Sequence, residues 1–245
     1  TYYNQLWKDS NFVLGEPVSE IKYVCRNVDI IMARLIKNET VELFGKNATV
    51  PFINGCDNSY HPCQILADAL TILEKFGTLD VNLMYIGAKN NVFNSHVEFF
   101  SKMKKGTLYG LTPLVNETAC GPDFYEEAKK SGHYIELDPA MSMEEAKEYA
   151  NKMDVLYTDT WVDMEFFNNP AYQKQKEETL AKMMPYQLNG DFTKDSKAIV
   201  FHDMPMHVGF EISQDVVDKN LDHILDEAEN RRHAEKAVMY TLLNS

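Results

Sequence analysis

Apolar and polar positions divide this chain into two kinds of segment that alternate along it. Short apolar runs, typical of strands buried in a parallel sheet, are separated by stretches whose apolar residues recur at helical spacing. The predicted strands, the last two taken with their exit loops, are Asp29–Arg34, Val50–Asn54, Val81–Gly87, Thr107–Val115, Tyr134–Leu137, Asp154–Trp161 and Ala198–Pro205, with a further possible strand in Thr1–Trp7. The predicted helices lie between them, at Ser19–Val28, Glu39–Phe44, from Pro62 to Phe76, Asp123–Ser131 and Met143–Asn151. This alternation predicts an α/β fold with parallel strands and helices on both faces.

The helix after Pro62 organises the candidate chemistry. Pro62 suits the first helical position, which makes His61 the expected N-cap. Its predicted buried face consists of Ile65, Leu66, Ala69, Leu70, Leu73 and Phe76. The positive end of a helix favours anions, so His61 and Gln64 could present N–H donors to a carbonyl or phosphate oxygen. The simpler alternative, a capped helix with a structural histidine, is the more common meaning of a His-Pro pair alone.

Two further segments bear on ligand binding. Arg34 ends an apolar run, and the carboxyl ends of strands are where open α/β sheets bind ligands. Without other support, an exposed arginine at a strand end would be the commoner interpretation. The loop Gly87–Ser95 lacks the glycine pattern of dinucleotide-binding proteins, which argues against a nicotinamide enzyme. After Asp154–Trp161, the polar stretch Phe166–Met184 is expected to be mobile.

Composition narrows the class of partner. The chain has 245 residues and a formal net charge of −13, with no clustered basic surface for a nucleic acid. A small phosphate-bearing substrate remains possible, because it needs only a few focused arginines. Four scattered cysteines without a Cys-x-x-Cys pair indicate reduced thiols in a cytoplasmic protein rather than a disulfide framework or a zinc site. No apolar run has membrane-spanning length.

Several motifs resemble one known family, in the same order along the chain. Val50–Gly55 followed by His61–Asp68 is similar to the strand and helix of the aspartate/ornithine carbamoyltransferase family, on its ornithine side. Gly87–Ser95, Tyr157–Trp161 and the closing segment Leu225–His233 continue the match. The resemblance covers essentially the whole chain, and the closing segment is the least probable by chance.

The resemblance implies a domain plan and an activity. It implies two doubly wound parallel-sheet domains, the first incomplete in this chain: residues 1–75 would bind carbamoyl phosphate and 76–226 the acceptor amine, with a closing helix, 227–245, packing back on the first domain. The implied reaction carbamoylates the side-chain amine of ornithine, giving citrulline and phosphate. Relatives are trimers, so a homotrimer or a multiple of trimers is expected, with the loop Lys8–Gly15 reaching a neighbouring subunit.

The resemblance also implies roles for individual residues. Carbamoyl phosphate would be bound by Arg34, His61, Gln64 and Arg231. The acceptor would be bound by Asn91, Asp159, Asp163, Met164, Asp203 and Met204. The catalytic groups among these would be His61, Arg34, Arg231 and Asp203. No metal or organic cofactor is implied.

Departures from the family pattern keep the acceptor open. Asp203 stands where relatives have a cysteine beside the reacting amine, and Asp163 replaces a serine. Met204 replaces a leucine, and Ala88 and Lys89 also differ. Two added carboxylates would repel an α-carboxylate and favour a more cationic acceptor, so putrescine or another diamine is the alternative to ornithine. Replacing both aspartates by the family residues is expected to shift preference toward ornithine.

One family element is absent from the sequence. The Ser-Thr-Arg-Thr motif that cradles the phosphate in relatives does not occur in this chain. The expectation is therefore either the remainder of a longer protein or a truncated homologue. A truncated homologue could be non-catalytic and bind only a ligand or a partner.

Overall fold

The strands form two parallel sheets, as the alternating pattern predicts. The computed structural model of the protein describes residues 16–162 and 167–244. The predictions for Thr1–Trp7, Lys8–Gly15, Asp163 and Met164 lie outside these residues. The strands of the described chain are β1 (Ile31–Arg34), β2 (Phe52–Cys56), β3 (Asn82–Lys89), β4 (Thr107–Val115), β5 (Tyr134–Glu136), β6 (Val155–Thr158) and β7 (Ile199–His202).

Strand order in the larger sheet locates a ligand-binding edge. β1 and β2 pair as a small two-stranded sheet, while the larger sheet has the order β5-β4-β3-β6-β7. All neighbouring strands are parallel. The chain runs outward from β3 through β4 to β5, then returns to the other side of β3 with β6. The crevice at the carboxyl ends of β3 and β6 is therefore a topological switch point, where doubly wound sheets bind ligands.

Helices connect the strands and cover the sheets. In the described chain they are α1 (Pro17–Cys25), α2 (Asn38–Asn47), α3 (Pro62–Phe76), α4 (Asn91–Met103), α5 (Pro122–Lys129), α6 (Met143–Ala150), α7 (Gln173–Met183) and α8 (Gln214–Leu243). One core, around Phe93 and Tyr157, packs α4 and α5 on the large sheet, and a second core around Leu156 and Ile224 packs α6 and α8. A smaller core around Phe44 lies on the two-stranded sheet. None of the described helices is long and apolar enough to cross a membrane.

One segment differs from its prediction, and a second has a helix that the sequence did not predict. The loop expected at Gly87–Ser95 is almost absent, because β3 continues to Lys89 and α4 begins at Asn91. The Asn90 side chain accepts a hydrogen bond from Phe93 N and caps the helix. The several asparagines of this segment did not by themselves indicate which one is the cap. The described part of the polar stretch Phe166–Met184 is mostly helical, with α7 in its second half. The expected mobility of this stretch stays a prediction.

The buried face of α3 matches the predicted one only in part: Ile65 and Ala69 are buried, as predicted. Leu66, Leu73 and Phe76 are exposed, at 39%, 43% and 36% of their maximal surface. The polar residues on the opposite face are buried instead: Gln64, Asp68 and Thr71. The cause is α8, which covers this face and supplies polar partners of its own. The apolar periodicity identified the helix but not the side on which a second helix packs.

Tight packing at one turn requires a glycine. Gly106, before β4, has a φ of +66°, and a Cβ there would lie 2.2 Å from the Val81 carbonyl oxygen. Gly132 has a similar φ of +76°, but a Cβ there would meet no atom within 4 Å. At Gly132 only the positive φ favours glycine, whereas at Gly106 a side chain would also clash with the backbone.

Candidate functional site

A cleft opens where the carboxyl ends of the two sheets face each other. Its volume is about 580 Å³. It is lined by residues at or after the ends of β1, β2, β3, β4, β6 and β7 and by one residue of α8: Arg34, Leu35, Ile36, Cys56, Asp57, Asn58, His61, Asn90, Asn91, Val92, Thr118, Asp159, Thr160, Asp203, Met204, Pro205 and Arg231. The cleft therefore includes the switch point between β3 and β6.

A rigid turn leads into α3 from β2. Asp57 is buried, and its Oδ1 accepts hydrogen bonds from the backbone N–H groups of Ser59 and Tyr60 at 2.6 and 2.7 Å. Its Oδ2 accepts from the side-chain amides of Asn38 and Asn54 at 2.9 and 2.8 Å. The backbone is thus fixed just before the helix begins. Sequence reasoning did not identify Asp57, although an aspartate before Asn-Ser is typical of such turns.

His61 is the N-cap of α3, which confirms that prediction. The backbone N–H of His61 donates to Ser95 Oγ at 2.7 Å, and its ring is buried at the cleft with Nδ1 lacking a partner among the described residues. Burial lowers the pKa of His61 to about 4, although Asp203 acts in the opposite direction. The imidazole is therefore neutral near pH 7 and can donate a single N–H to a ligand oxygen.

Two arginines enter the cleft from different elements. Arg34 ends β1, and its side chain has no hydrogen bond or ion pair within the described chain. Arg231, on α8, donates from Nη2 to Asp203 Oδ1, while its buried Nε has no described partner. Burial alone would lower the pKa of Arg231, but the attraction of Asp203 outweighs it and raises that pKa. One arginine is thus available to an anion, and the other is held by an internal carboxylate.

Gln64 does not line the described cleft. Its side chain is buried behind His61, between α3 and α8. Its Nε2 donates to Glu227 Oε1 at 2.7 Å and Asp68 Oδ1 at 2.9 Å, and lies 3.4 Å from the Tyr157 hydroxyl. Its predicted contact with carbamoyl phosphate stays a prediction, and this arrangement would have to change for the contact to form.

The acceptor side of the cleft contains Asn91, Asp159, Asp203 and Met204 of the predicted set. Asn91 Nδ2 donates to the Asp57 carbonyl oxygen at 2.7 Å and lies 3.3 Å from Cys56 Sγ, so it links the start of α4 to the end of β2. Met204 follows Asp203 in the loop after β7. The structure therefore brings both predicted groups to one cleft, apart from Gln64 and the two residues that lie outside the described chain.

Asp159 is held at the switch point itself. Its Oδ2 accepts from Asn90 Nδ2 at 2.7 Å, and its Oδ1 from the Thr160 backbone N–H at 2.6 Å. Burial, followed by the nearby Asp203 carboxylate, raises the pKa of Asp159 to about 7. The Asn90 bond joins the ends of β3 and β6. Sequence reasoning missed Asn90, whose only signal was its place directly after a strand.

A buried histidine supports the loop after β7. His202 Nε2 lies 3.1 Å from Glu211 Oε1, and Glu211 also accepts from the backbone N–H of His207. Burial alone would lower the pKa of His202, but Glu211 reverses the effect and raises it. This pair, which sequence reasoning did not identify, fixes the residue that precedes Asp203.

The cleft as a whole can bind an anion and an amine side by side. Arg34, His61 and Arg231 offer donors to an oxyanion, while Asp159 and Asp203 offer acceptors to an ammonium group. No group of three or more potential metal ligands occurs in the described ranges 16–162 and 167–244. Fold and cleft together define an α/β protein with a cleft between the edges of two parallel sheets, lined by both cationic and anionic side chains.

Comparisons with known proteins identify the family. The carbamoyl-P binding domain of aspartate/ornithine carbamoyltransferase matches residues 6–74, and the Asp/Orn binding domain of the same family matches residues 79–242. Ornithine carbamoyltransferase from Archaeoglobus fulgidus is 33% identical, over 97% of this chain and 74% of that protein. Ornithine carbamoyltransferase from Pyrococcus horikoshii is 37% identical, over 94% of this chain and 70% of that protein.

Solved structures agree with the sequence matches. The structure of ornithine carbamoyltransferase from Pyrococcus furiosus is similar with a TM-score of 0.80 and 33% identity, covering 95% of this chain and 72% of that one. The chain therefore belongs to the aspartate/ornithine carbamoyltransferase family, a family of carbamoyltransferase enzymes. It spans about 65 to 74% of the length of the curated relatives it matches.

Proposed function

We propose that this protein transfers the carbamoyl group of carbamoyl phosphate to the side-chain amine of ornithine, giving citrulline and phosphate. The observation that carries this proposal is the meeting of Arg34, His61 and Arg231 with Asp159 and Asp203 in one cleft. Relatives named ornithine carbamoyltransferase support the choice of acceptor.

The anion side of the cleft suits the leaving group. In the reaction, the amine nitrogen bonds to the carbonyl carbon, and the bond from that carbon to the phosphate oxygen then breaks, so that phosphate leaves with the electron pair. Negative charge develops first on the carbonyl oxygen and then on the phosphate. Donors aimed at both oxygens stabilise this charge. The neutral imidazole of His61 would donate to the carbonyl oxygen, and Arg34 and Arg231 would bind the phosphate.

The acceptor side suits the amine. Asp159 would hold the α-amino group of ornithine. Asn91 would give up its hydrogen bond to the Asp57 carbonyl oxygen and contact the amino acid instead. Asp203 lies between the two sides and would accept the proton that the amine nitrogen loses, once phosphate has displaced it from Arg231. Fixing both reactants in this way converts a bimolecular encounter into a reaction within one complex.

The two sheets would divide the substrates between them. Residues 1–75 would bind carbamoyl phosphate, and 76–226 the acceptor. The second half of α8 would complete the first site, because Asn230 Nδ2 donates to Thr71 Oγ1 and Glu74 Oε2 of α3 at 3.0 and 2.7 Å. The domain names of the two family matches support this division.

A diamine such as putrescine is the second candidate acceptor, and Asp203 favours it. An extra carboxylate at the cleft would repel the α-carboxylate of ornithine and attract a second ammonium group. Asp163, the other substituted position, lies outside the described residues, so Asp203 carries this alternative alone.

An acceptor screen on the full-length protein tests the proposal. Phosphate release from carbamoyl phosphate is measured with ornithine, putrescine and other amines, and the carbamoylated product is identified. Release with ornithine as the best acceptor supports the first candidate, and release with putrescine supports the second. No amine-dependent release would overturn the proposed function.

The unpaired arginine provides a matched test of the same site. Arg34→Gln removes a cation from the cleft and should lower kcat/KM for carbamoyl phosphate at least about a hundredfold, the scale found for a lost transition-state donor. Arg26→Gln, at an exposed position outside the cleft, is the control and should change it less than about twofold. Equal effects of the two substitutions would contradict the assigned role of Arg34.

A further inference from the structure

A buried carboxyl group lies beneath the cleft, where α3, β7 and α8 meet. Glu227, on α8, has no exposed surface. Its Oε1 accepts a hydrogen bond from Gln64 Nε2 of α3 at 2.7 Å, and its Oε2 accepts from the backbone N–H of His202 at the end of β7 at 2.8 Å. One side chain therefore joins three elements that are far apart in sequence.

Each end of this connection adjoins a residue of the cleft. Gln64 lies one helical turn after His61, and His202 directly precedes Asp203. Glu227 itself lies one turn before the arginine that binds Asp203. A shift of the Glu227 carboxyl would therefore change the spacing between the histidine, the aspartate and the arginine at once.

A carboxyl group at this position does not favour stability. Burial raises the pKa of Glu227 well above its usual range, and the neighbouring Asp68 carboxyl raises it further. Apolar residues of similar volume often stabilise a protein as well as, or better than, buried ionisable groups. What the side chain provides is two oxygens at fixed positions, each contacted by a donor from a different element, together with a hydrogen bond to Asp68 of α3.

We infer that Glu227 is a positioning residue of the carbamoyl-transfer site: through Gln64 and the His202 backbone it fixes His61 and Asp203 relative to Arg231. The inference rests on the proposed function, because the reaction requires these three groups in one arrangement. Glu227 does not line the described cleft and acts on the substrates only through these contacts.

Glu227→Gln tests this inference in the full-length protein. Glutamine has the same size and can still accept from the His202 N–H, but its amide nitrogen would face the Gln64 amide nitrogen. Gln64 must then either keep two donors in contact or turn its amide and lose its bond to Asp68 Oδ1. We expect kcat to fall at least about tenfold. The KM for carbamoyl phosphate should rise by a smaller factor than kcat falls, because Arg34, one of the two arginines assigned to phosphate, has no contact with this network. Glu229→Gln, an exposed change on the same helix, is the control and should leave both constants unchanged.

A double-mutant comparison separates positioning from general destabilisation. If Glu227 acts through Asp203, the losses in kcat caused by Glu227→Gln and Asp203→Asn should be less than additive by a factor of at least about five. Additive losses, or a loss of kcat fully matched by unfolding in a thermal melt, would overturn the inference. If Glu227→Gln does not fold, Glu227→Asp, which withdraws the carboxyl by one methylene, is measured in the same way.

Nuclear magnetic resonance distinguishes failure of this inference from failure of the proposed function. The His202 amide and the buried Arg231 Nε–H should both change chemical shift in Glu227→Gln but not in Glu229→Gln. If the wild-type protein releases no phosphate with any amine, the proposed function fails, while these signals still report the connection. A shift at His202 alone, with Arg231 unchanged, would make Glu227 purely structural and would overturn the inference.

Discussion

The ion pair between Asp203 and Arg231 makes a prediction about both substrates. In the described structure the Asp203 carboxylate forms an ion pair with Arg231, the arginine that we assign to phosphate. Phosphate must therefore compete with an internal anion for the same guanidinium group. Asp203→Asn keeps the size of the side chain and removes its charge, so it should strengthen anion binding and weaken the binding of a second ammonium group.

The size of the effect follows from the exposure of the pair. Two unit charges at about 4 Å attract by about 4 kcal/mol at an effective dielectric constant of 20. The Arg231 and Asp203 side chains are 30% and 11% exposed, so solvent reduces this attraction. An asparagine would still form a neutral hydrogen bond. The net change should then be about 1.4 kcal/mol, which is the difference between a charge-assisted and an ordinary hydrogen bond and corresponds to tenfold in affinity.

Two assays measure this change. Inorganic phosphate should bind Asp203→Asn about tenfold more tightly by calorimetry, and the ratio of kcat/KM for putrescine to that for ornithine should fall at least about tenfold. Asp195→Asn removes the same charge at an exposed position and controls for net charge. If phosphate affinity and the acceptor ratio both stay within twofold of that control, Asp203 does not govern either substrate, and the reasoning about the pair is refuted.

Two other predictions concern groups around the cleft and the fold. Because burial, followed by Asp203, raises the pKa of Asp159 to about 7, its protonated form is favoured in the folded protein, and the stability linked to it is lost as pH rises toward 7. Asp203→Asn should lower this pKa, seen as an acid shift of the Asp159 carboxyl ¹³C titration; an unchanged midpoint would contradict the coupling. Gly106→Ala should lower the free energy of unfolding by about 3 kcal/mol or more in urea titrations, since it adds a steric clash to an unfavourable φ. The matched change Gly132→Ala, which meets open space, should lower it by only about 1 kcal/mol, and equal losses would mean that the clash is relieved.

Local sequence signals predicted the elements that deliver residues to the cleft. Pro62 and the apolar spacing after it were sufficient to identify His61 as a helix N-cap, because capping depends on residues within one turn. Arg34 and Asp159 were placed correctly at the ends of strands, because in a parallel sheet the end of every strand lies at the same edge. These positions follow from periodicity and direction of the chain, without knowledge of distant contacts.

The failures have a common physical cause in long-range packing. Gln64, Asp68 and Thr71 are polar, so periodicity assigned them to the exposed face of α3, but α8 buries them by offering Glu227 and Asn230 as partners. A polar stripe is stable in the interior only when a second element supplies matching groups. The local sequence of α3 does not indicate that such a partner exists more than 150 residues later.

The same contacts explain why the candidate site depends on more than its lining residues. The proposed phosphate donors and amine acceptors enter the cleft from β1, α3, β6, β7 and α8, and no short segment contains more than two of them. The distances between these side chains are therefore set by the contacts between the elements that carry them. At Glu227 and at the Asn90–Asp159 bond, a single side chain determines the distance between groups that must act together. Conservative substitutions at Glu227, Asn90 or Asp159 should therefore impair turnover before they impair folding. Substitutions in the apolar cores should impair folding first.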